Sequence, residues 1–272
     1  KEETDNDPEF ANKLASYADI FVHDAFGAAH RKHASTHGII AYHKNTSVGG
    51  FLMKKEIQAL SKVVEKPESP FVAIIGGAKV SDKIKIIERL LANVDQMIIG
   101  GAMSYPFLKA KGHTIGKSLC SDDDVALAKK ILDNPTSKKI SLPLDHVVSD
   151  SMDGNAQHID SRDIPDDLIG LDVGTKSVAA YTELLKAAKT VLWNGPLGYF
   201  ENETFAKGTM EIAKIIGNSK AFSLVGGGDS VSAVKKAKLG DKMSHVSTGG
   251  GASLEFIEKG TLPGIEALKF GI

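Results

Sequence analysis

The stretch FVAIIGGAKVSDKIKIIERLLA, residues 71–92, sets out the plan of the chain. Phe71-Val72-Ala73-Ile74-Ile75 is a short, continuous apolar run rich in β-branched residues, the pattern of a strand buried on both faces. Gly76-Gly77-Ala78-Lys79 follows as a turn, and residues 81–92 then carry apolar side chains at helical spacing. Similar apolar runs recur at 19–22, 97–99, 140–144, 190–193 and 222–225, with helical spacing at 123–132, 178–188, 206–216 and 229–237. Strand alternating with helix predicts an α/β fold: a doubly wound parallel sheet, Rossmann-like, covered on both faces.

Outward from that unit the chain divides. Residues 67–250 hold the repeating pattern. Ahead of them Gly49-Gly50-Phe51-Leu52-Met53-Lys54-Lys55-Glu56 opens a helix that ends near Lys66-Pro67. That helix reads either as an ordinary surface helix or as a connector between two bodies. Residues 1–48 hold one helical segment and one or two strands, too little for a well-covered second domain. The start, a polar segment at 1–8 without methionine, is what a fragment or a processed product shows.

Composition excludes several classes of function. The 272 residues are 42% hydrophobic and 25% charged, a soluble globular balance, and the formal charge of -1 gives no footprint for nucleic acid or an anionic membrane. A single cysteine, Cys120, excludes a disulfide framework and a multi-cysteine metal site. There is no apolar stretch near the roughly 18 residues of a membrane span and no signal peptide, so a cytoplasmic location is expected.

Glycine marks where chemistry collects. After successive predicted strands stand Gly76-Gly77, Gly100-Gly101, Asn194-Gly195-Pro196, Gly226-Gly227-Gly228 and Gly249-Gly250-Gly251. Any one pair is accounted for by a tight βα turn. Five turns gathered at the carboxyl edge of a parallel sheet predict a cleft whose bare backbone and helix N-termini receive phosphate. Lys79 sits in the first turn and Lys83 is expected one helical turn later, so that both reach one anion unless they belong to a solvated face. Asp229, after Gly226-Gly227-Gly228, reads either as an N-cap or as the carboxylate that holds a magnesium ion bridging nucleotide oxygens.

Other signals are weaker. His30-Arg31-Lys32-His33, after the apolar Ile20-Phe21-Val22, is a cationic patch suited to a small phosphorylated or carboxylated molecule, or a plain surface patch. Residues 112–118 resemble a Walker A loop but have three residues between the glycines instead of four, and read as an exposed loop. No His-Glu-x-x-His pattern exists, and His30 with His33 lacks further ligands. Cys120 reads as a buried or bystander thiol. A dinucleotide oxidoreductase fares poorly, because no Gly-x-Gly-x-x-Gly opens a βαβ unit.

Taken together, Asp24-Ala25-Phe26-Gly27 with Ala29-His30-Arg31, the Gly49 to Glu56 run, Gly76-Gly77-Ala78-Lys79-Val80 with Asp82-Lys83, Trp193-Asn194-Gly195-Pro196 with Phe200-Glu201, Gly226-Gly227-Gly228-Asp229 and His245-Val246-Ser247-Thr248-Gly249-Gly250-Gly251 resemble the phosphoglycerate kinase family, in family order over essentially the whole chain. The resemblance implies transfer of the acyl phosphate of 1,3-bisphosphoglycerate to MgADP, giving 3-phosphoglycerate and MgATP, by a cytoplasmic monomer with Mg²⁺ as its metal. It implies that Lys83 with Gly249, Gly250 and Gly251 serves the transferring phosphoryl group. Gly77, Ala78, Lys79, Lys83, Gly101, Ile169, Gly170, Leu171, Asn194, Glu201 (at the ribose), Gly227, Gly228, Asp229 and Ser230 would take the nucleotide, Asp229 the metal, and His30 and Arg31 the acid substrate. In these terms residues 1–48 are the remnant of an incomplete substrate domain, 49–66 the hinge helix, 67–250 the nucleotide domain, and 251–272 a segment returning toward the first.

Departures accompany the match. His23 stands where the family usually has Asn, Ser230 where it has Thr, and Lys259-Gly260 inverts the common Gly-Lys. The family's N-terminal Asp-Phe-Asn-Val-Pro motif and most of the arginines that hold the acid are missing from this sequence. A nucleotide-binding module without turnover is therefore the second expectation.

Overall fold

The structure, a computed structural model, describes residues 1–270. Its contacts form two compact units, Lys1–Lys66 with Ser247–Ile272, and Pro67–Val246. Residues 271–272 of the expected C-terminal segment lie outside the described residues.

In the first unit, α1 (Pro8–Ala15) starts where sequence chemistry favours it: Asp7 accepts the Phe10 N–H at 2.8 Å and Pro8 takes the first turn. Strands β1 (Phe21–His23) and β2 (Ser47–Gly49) pair in parallel, and α2 (Phe51–Val64) follows. No residue next to α2 caps it. Asp24 does so from 29 positions away, its Oδ1 accepting the Met53 N–H at 2.8 Å.

The second unit runs β3 (Phe71–Ile75), α3 (Ile84–Leu91), β4 (Gln96–Ile99), α4 (Ser104–Ala110), α5 (Asp122–Leu132) and β5 (Ile140–Ser141). It continues through β6 (His146–Ser149), β7 (Gln157–Ile159), β8 (Ile169–Val173), α6 (Thr175–Ala187), β9 (Thr190–Asn194), α7 (Lys207–Asn218), β10 (Phe222–Gly226), α8 (Gly228–Lys236) and β11 (His245–Val246). The chain then rejoins the first unit through α9 (Gly251–Lys259) and α10 (Pro263–Phe270), where Ala267 packs with Ala15, Ile39 and Ile40.

The main sheet has the order β11-β10-β9-β3-β4-β5 with every pair parallel. Alternation sends Val72, Ile74, Val191 and Trp193 into one core with Tyr181 and Leu185 of α6 and Ile212 and Ile216 of α7. The residues between them, Phe71, Ala73, Ile75 and Leu192, are equally buried, so both faces are covered as in an α/β sheet. From β3 the chain builds outward through β4 to β5, then returns to place β9 on the other side of β3. That reversal is a topological switch point, and a crevice opens there beyond the strand ends.

Three local expectations change. Strand β5 stops at Ser141, short of residue 144, because Pro143 has no N–H to give a ladder. Helix α3 begins at Ile84, not at 81; residues 81–83 form a turn whose Ser81 N–H is given to Asp124 Oδ1 at 2.9 Å. The segment 112–118 is a loop, but Ile115 bridges to Ile164 and both Ile115 and Ser118 are buried, so it is not an exposed one. The antiparallel sheet β7-β6-β8 had no counterpart in the apolar runs. Among the described residues no helix is long and apolar enough to cross a membrane.

Candidate functional site

At the switch point the turns after β3, β4 and β9 are laced through their backbones. Gly76 N donates to Asn194 O at 2.8 Å, Gly101 N to Leu197 O at 2.9 Å and Met103 N to Gly77 O at 2.9 Å. The lacing explains why residue 76 is bare: a Cβ there would lie 2.0 Å from the Pro196 carbonyl oxygen.

Above these turns lies a cleft of about 390 Å³ within the second unit. Gly77, Ala78 and Gly101 line it from the β3 and β4 turns, and Ile169, Gly170 and Leu171 from β8. Glu201 and Asp229 are its charged lining residues. Tyr105, Leu119, Met152 and Tyr199 also line it, and sequence reading missed all four. No motif marks them; Leu119 and Met152 stand out only once folded, as large apolar side chains left 57% and 42% exposed.

The remaining expected nucleotide residues stand around the cleft rather than in its lining. Lys79 is exposed. Lys83 turns inward, its ammonium donating to Asn194 Oδ1 at 2.6 Å and to Gly76 O at 2.7 Å. Both lysines precede α3, so they do not stand one helical turn apart as expected. Burial lowers the Lys83 pKa to about 8, with Asp229 and Asp82 opposing the fall. Asn194 is itself buried and gives Nδ2 to Gly226 O at 2.9 Å, which ties β9 to β10. Gly227 precedes α8, Gly228 opens it, and Asp229 lies exposed in its first turn. Ser230 is buried, and its Oγ accepts the Gly195 N–H.

The metal question turns on the donors present. Among the described residues no group of three or more His, Cys, Asp or Glu side chains comes together. A single exposed carboxylate at a helix start suits Mg²⁺, which keeps several waters and shares substrate phosphates, and suits Zn²⁺ poorly. Cys120 is a half-exposed free thiol whose pKa burial raises, which leaves it without a nucleophile's activation.

Gly249, Gly250 and Gly251 belong to the first unit. They follow β11, a parallel strand of the main sheet, and the residues just before them are bound by α2. Glu56 of α2, fully buried, accepts Ser247 Oγ at 2.9 Å, Thr248 N at 2.7 Å and Thr248 Oγ1 at 2.8 Å. Gly249 lies against Phe26 of the Asp24-Ala25-Phe26-Gly27 motif so closely that a Cβ would come within 2.4 Å of the ring. Gly250 is the N-cap of α9, and Gly251, its first residue, faces His30, whose Nε2 lies 3.7 Å from where a Cβ would stand. The structure thus brings His30 to the glycine turn, with its buried Nδ1 making no hydrogen bond. Arg31 beside it is exposed.

Comparison with known proteins fits this geometry. A family profile described as phosphoglycerate kinase matches residues 1–260. Phosphoglycerate kinases of Clostridium botulinum and Koribacter versatilis are 52% identical over 272 residues and 54% identical over 273; in each case the match covers 98% of this chain and 68% of the relative. The solved phosphoglycerate kinase of Coxiella burnetii superposes with a TM-score of 0.93 at 43% identity, covering 98% of this chain and 69% of that one. That of Pyrococcus horikoshii gives 0.84 at 34% identity, covering 97% and 68%.

Proposed function

The chain belongs to the phosphoglycerate kinase family, and from that premise we propose that its second unit binds MgADP or MgATP in the switch-point cleft, for phosphoryl transfer to and from 1,3-bisphosphoglycerate and 3-phosphoglycerate. The observation that carries the reading is the cleft itself: main-chain turns at Gly77 and Gly101, an apolar wall at Ile169 and Leu171, and Asp229 at a helix start. An apolar wall suits a base, and bare backbone beside a helix N-terminus suits phosphate. Glu201, which lines the cleft, would accept ribose hydroxyls. Asp229 would hold Mg²⁺, which when bound neutralises charge on the phosphate oxygens.

Lys83 supplies the mobile charge. Its ammonium is held by Gly76 O and Asn194 Oδ1, and on this reading it exchanges those acceptors for phosphate oxygens as negative charge gathers on the group in transit. Lys79, already exposed, neutralises the nucleotide phosphates from outside. The acid substrate falls to His30 and Arg31, and the N–H groups of the Gly249–Gly251 turn to the phosphoryl group. The setting is the cytoplasm, the active species a monomer, and neither nucleic acid nor membrane takes part.

A second reading, nucleotide binding without turnover, is favoured by one observation. Arg31 is the single arginine among residues 1–66 and 247–272, a sparse set for holding an acid with one or two phosphates. Calorimetric titration with MgADP and MgATP beside a turnover assay decides: binding with turnover supports the first reading, binding without turnover the second, and no nucleotide binding overturns both.

A further inference from the structure

Asp124 belongs to none of the motifs above. It is the third residue of α5, 5% exposed, and it shares an N-terminal cap with Ser121: Asp124 N donates to Ser121 Oγ at 3.1 Å, and Ser121 Oγ donates to Asp124 Oδ2 at 2.8 Å. A carboxylate at this position usually serves its own helix start. Here Oδ1 reaches back 43 positions and accepts the Ser81 N–H at 2.9 Å, and the Val80 N–H and the Ser81 hydroxyl also favour the charged carboxylate. Burial alone would raise its pKa, but the bonds from Ser81, Ser121 and Val80 together outweigh that and hold it below the ordinary value.

The segment gripped in this way is the one that carries both lysines. Val80 within it is wholly buried, and Lys83 N closes the turn onto Val80 O at 3.0 Å. Sequence spacing favours helix from residue 81, but residues 81–83 form a turn and the helix starts at Ile84. Were the helix to extend to 81, the backbone of 81–83 would rewind and Lys83 would leave Gly76 O and Asn194 Oδ1.

We propose that Asp124 is a positioning residue for the phosphate-facing lysines: by holding the Val80–Ser81 backbone it keeps 79–83 a turn and sets where Lys79 and Lys83 stand. The proposal rests on the reading that these lysines meet nucleotide phosphates.

A double-mutant cycle on MgATP affinity, measured by calorimetry on the whole chain, tests it. Asp124→Ala should weaken binding about 5- to 20-fold in the native background and less than about 2-fold in a Lys79→Met/Lys83→Met background, because the residue acts through the lysines. Amide exchange at Val80 and Ser81 should quicken by about tenfold or more while the β9 amides keep their protection. Equal losses in both backgrounds, or no loss in either, overturn the proposal. If Asp124→Ala fails to fold, Asp124→Asn, which keeps the shape and one acceptor oxygen, enters the same cycle under the same criterion with smaller effects. Native chain that binds no MgATP overturns the reading of the site, and this proposal with it; native binding combined with equal losses overturns the proposal alone.

Discussion

Glycine turns that look alike in this sequence are built in opposite ways in the two units. The turns at Gly76 and Gly101 in the second unit are held by other turns, backbone to backbone, across β3, β4 and β9. The turn at Gly249 in the first unit is held by side chains, chief among them the buried carboxylate of Glu56, which takes three donors from Ser247 and Thr248, with Ser247 Oγ in turn accepting Gly249 N–H at 3.1 Å. A shape made by a sheet edge is shared among many weak bonds and survives the loss of any one of them. A shape made chiefly by one carboxylate does not, since each donor left dry costs about 1–3 kcal/mol.

The contrast can be broken in measured steps. The largest effect is expected at Lys83, where Lys83→Met should lower kcat by about 10²- to 10³-fold, as for loss of a donor to developing charge, and MgADP affinity by much less. Equal loss in both would make Lys83 a ground-state contact only. Next comes Glu56→Ala, which should destabilise the first unit by about 3 kcal/mol in denaturant unfolding and expose the Thr248 amide to exchange. An unchanged Thr248 amide would abolish the contrast between the units.

A pH titration sharpens the same point. Because burial lowers the Lys83 pKa to about 8, its ammonium is lost as the pH rises through that value, and MgATP affinity should fall there. In Lys83→Arg the fall should disappear below pH 10, since arginine stays charged. Gly249→Ala should cost about 1–3 kcal/mol, because its methyl group meets the buried ring of Phe26. The smallest effect belongs to Ser230→Ala, about 1 kcal/mol of stability from the lost acceptor for Gly195 N–H, spread over a turn that its neighbours still support.

Legibility in the sequence followed the same division. Parallel strands buried on both faces are written as continuous apolar runs, so β3, β9 and β10 could be read almost to the residue. Strands β6 and β7 are short and mix His, Ser and Gln with their apolar residues, and β8 is interrupted by Gly170 and Asp172, so none of them shows a run. Ile169, Gly170 and Leu171 entered through family resemblance alone. The turn ahead of α3 was missed, and the residue that binds it, Asp124, lies 43 positions away. Glu56 shows the same limit, since its partners are 191 and 192 positions off and nothing local marks it as anything but a helical glutamate.

The lacing at the switch point also says how such a site should be searched. Its shape is carried by main-chain N–H and C=O groups of residues 76, 77, 101, 103, 194 and 197, groups that every residue but proline has. A survey that trims side chains to alanine would pass over this centre and report only its rim. The informative survey runs the other way and adds a methyl group to each glycine in turn. Gly76→Ala, aimed at the Pro196 carbonyl, is where that survey should register first.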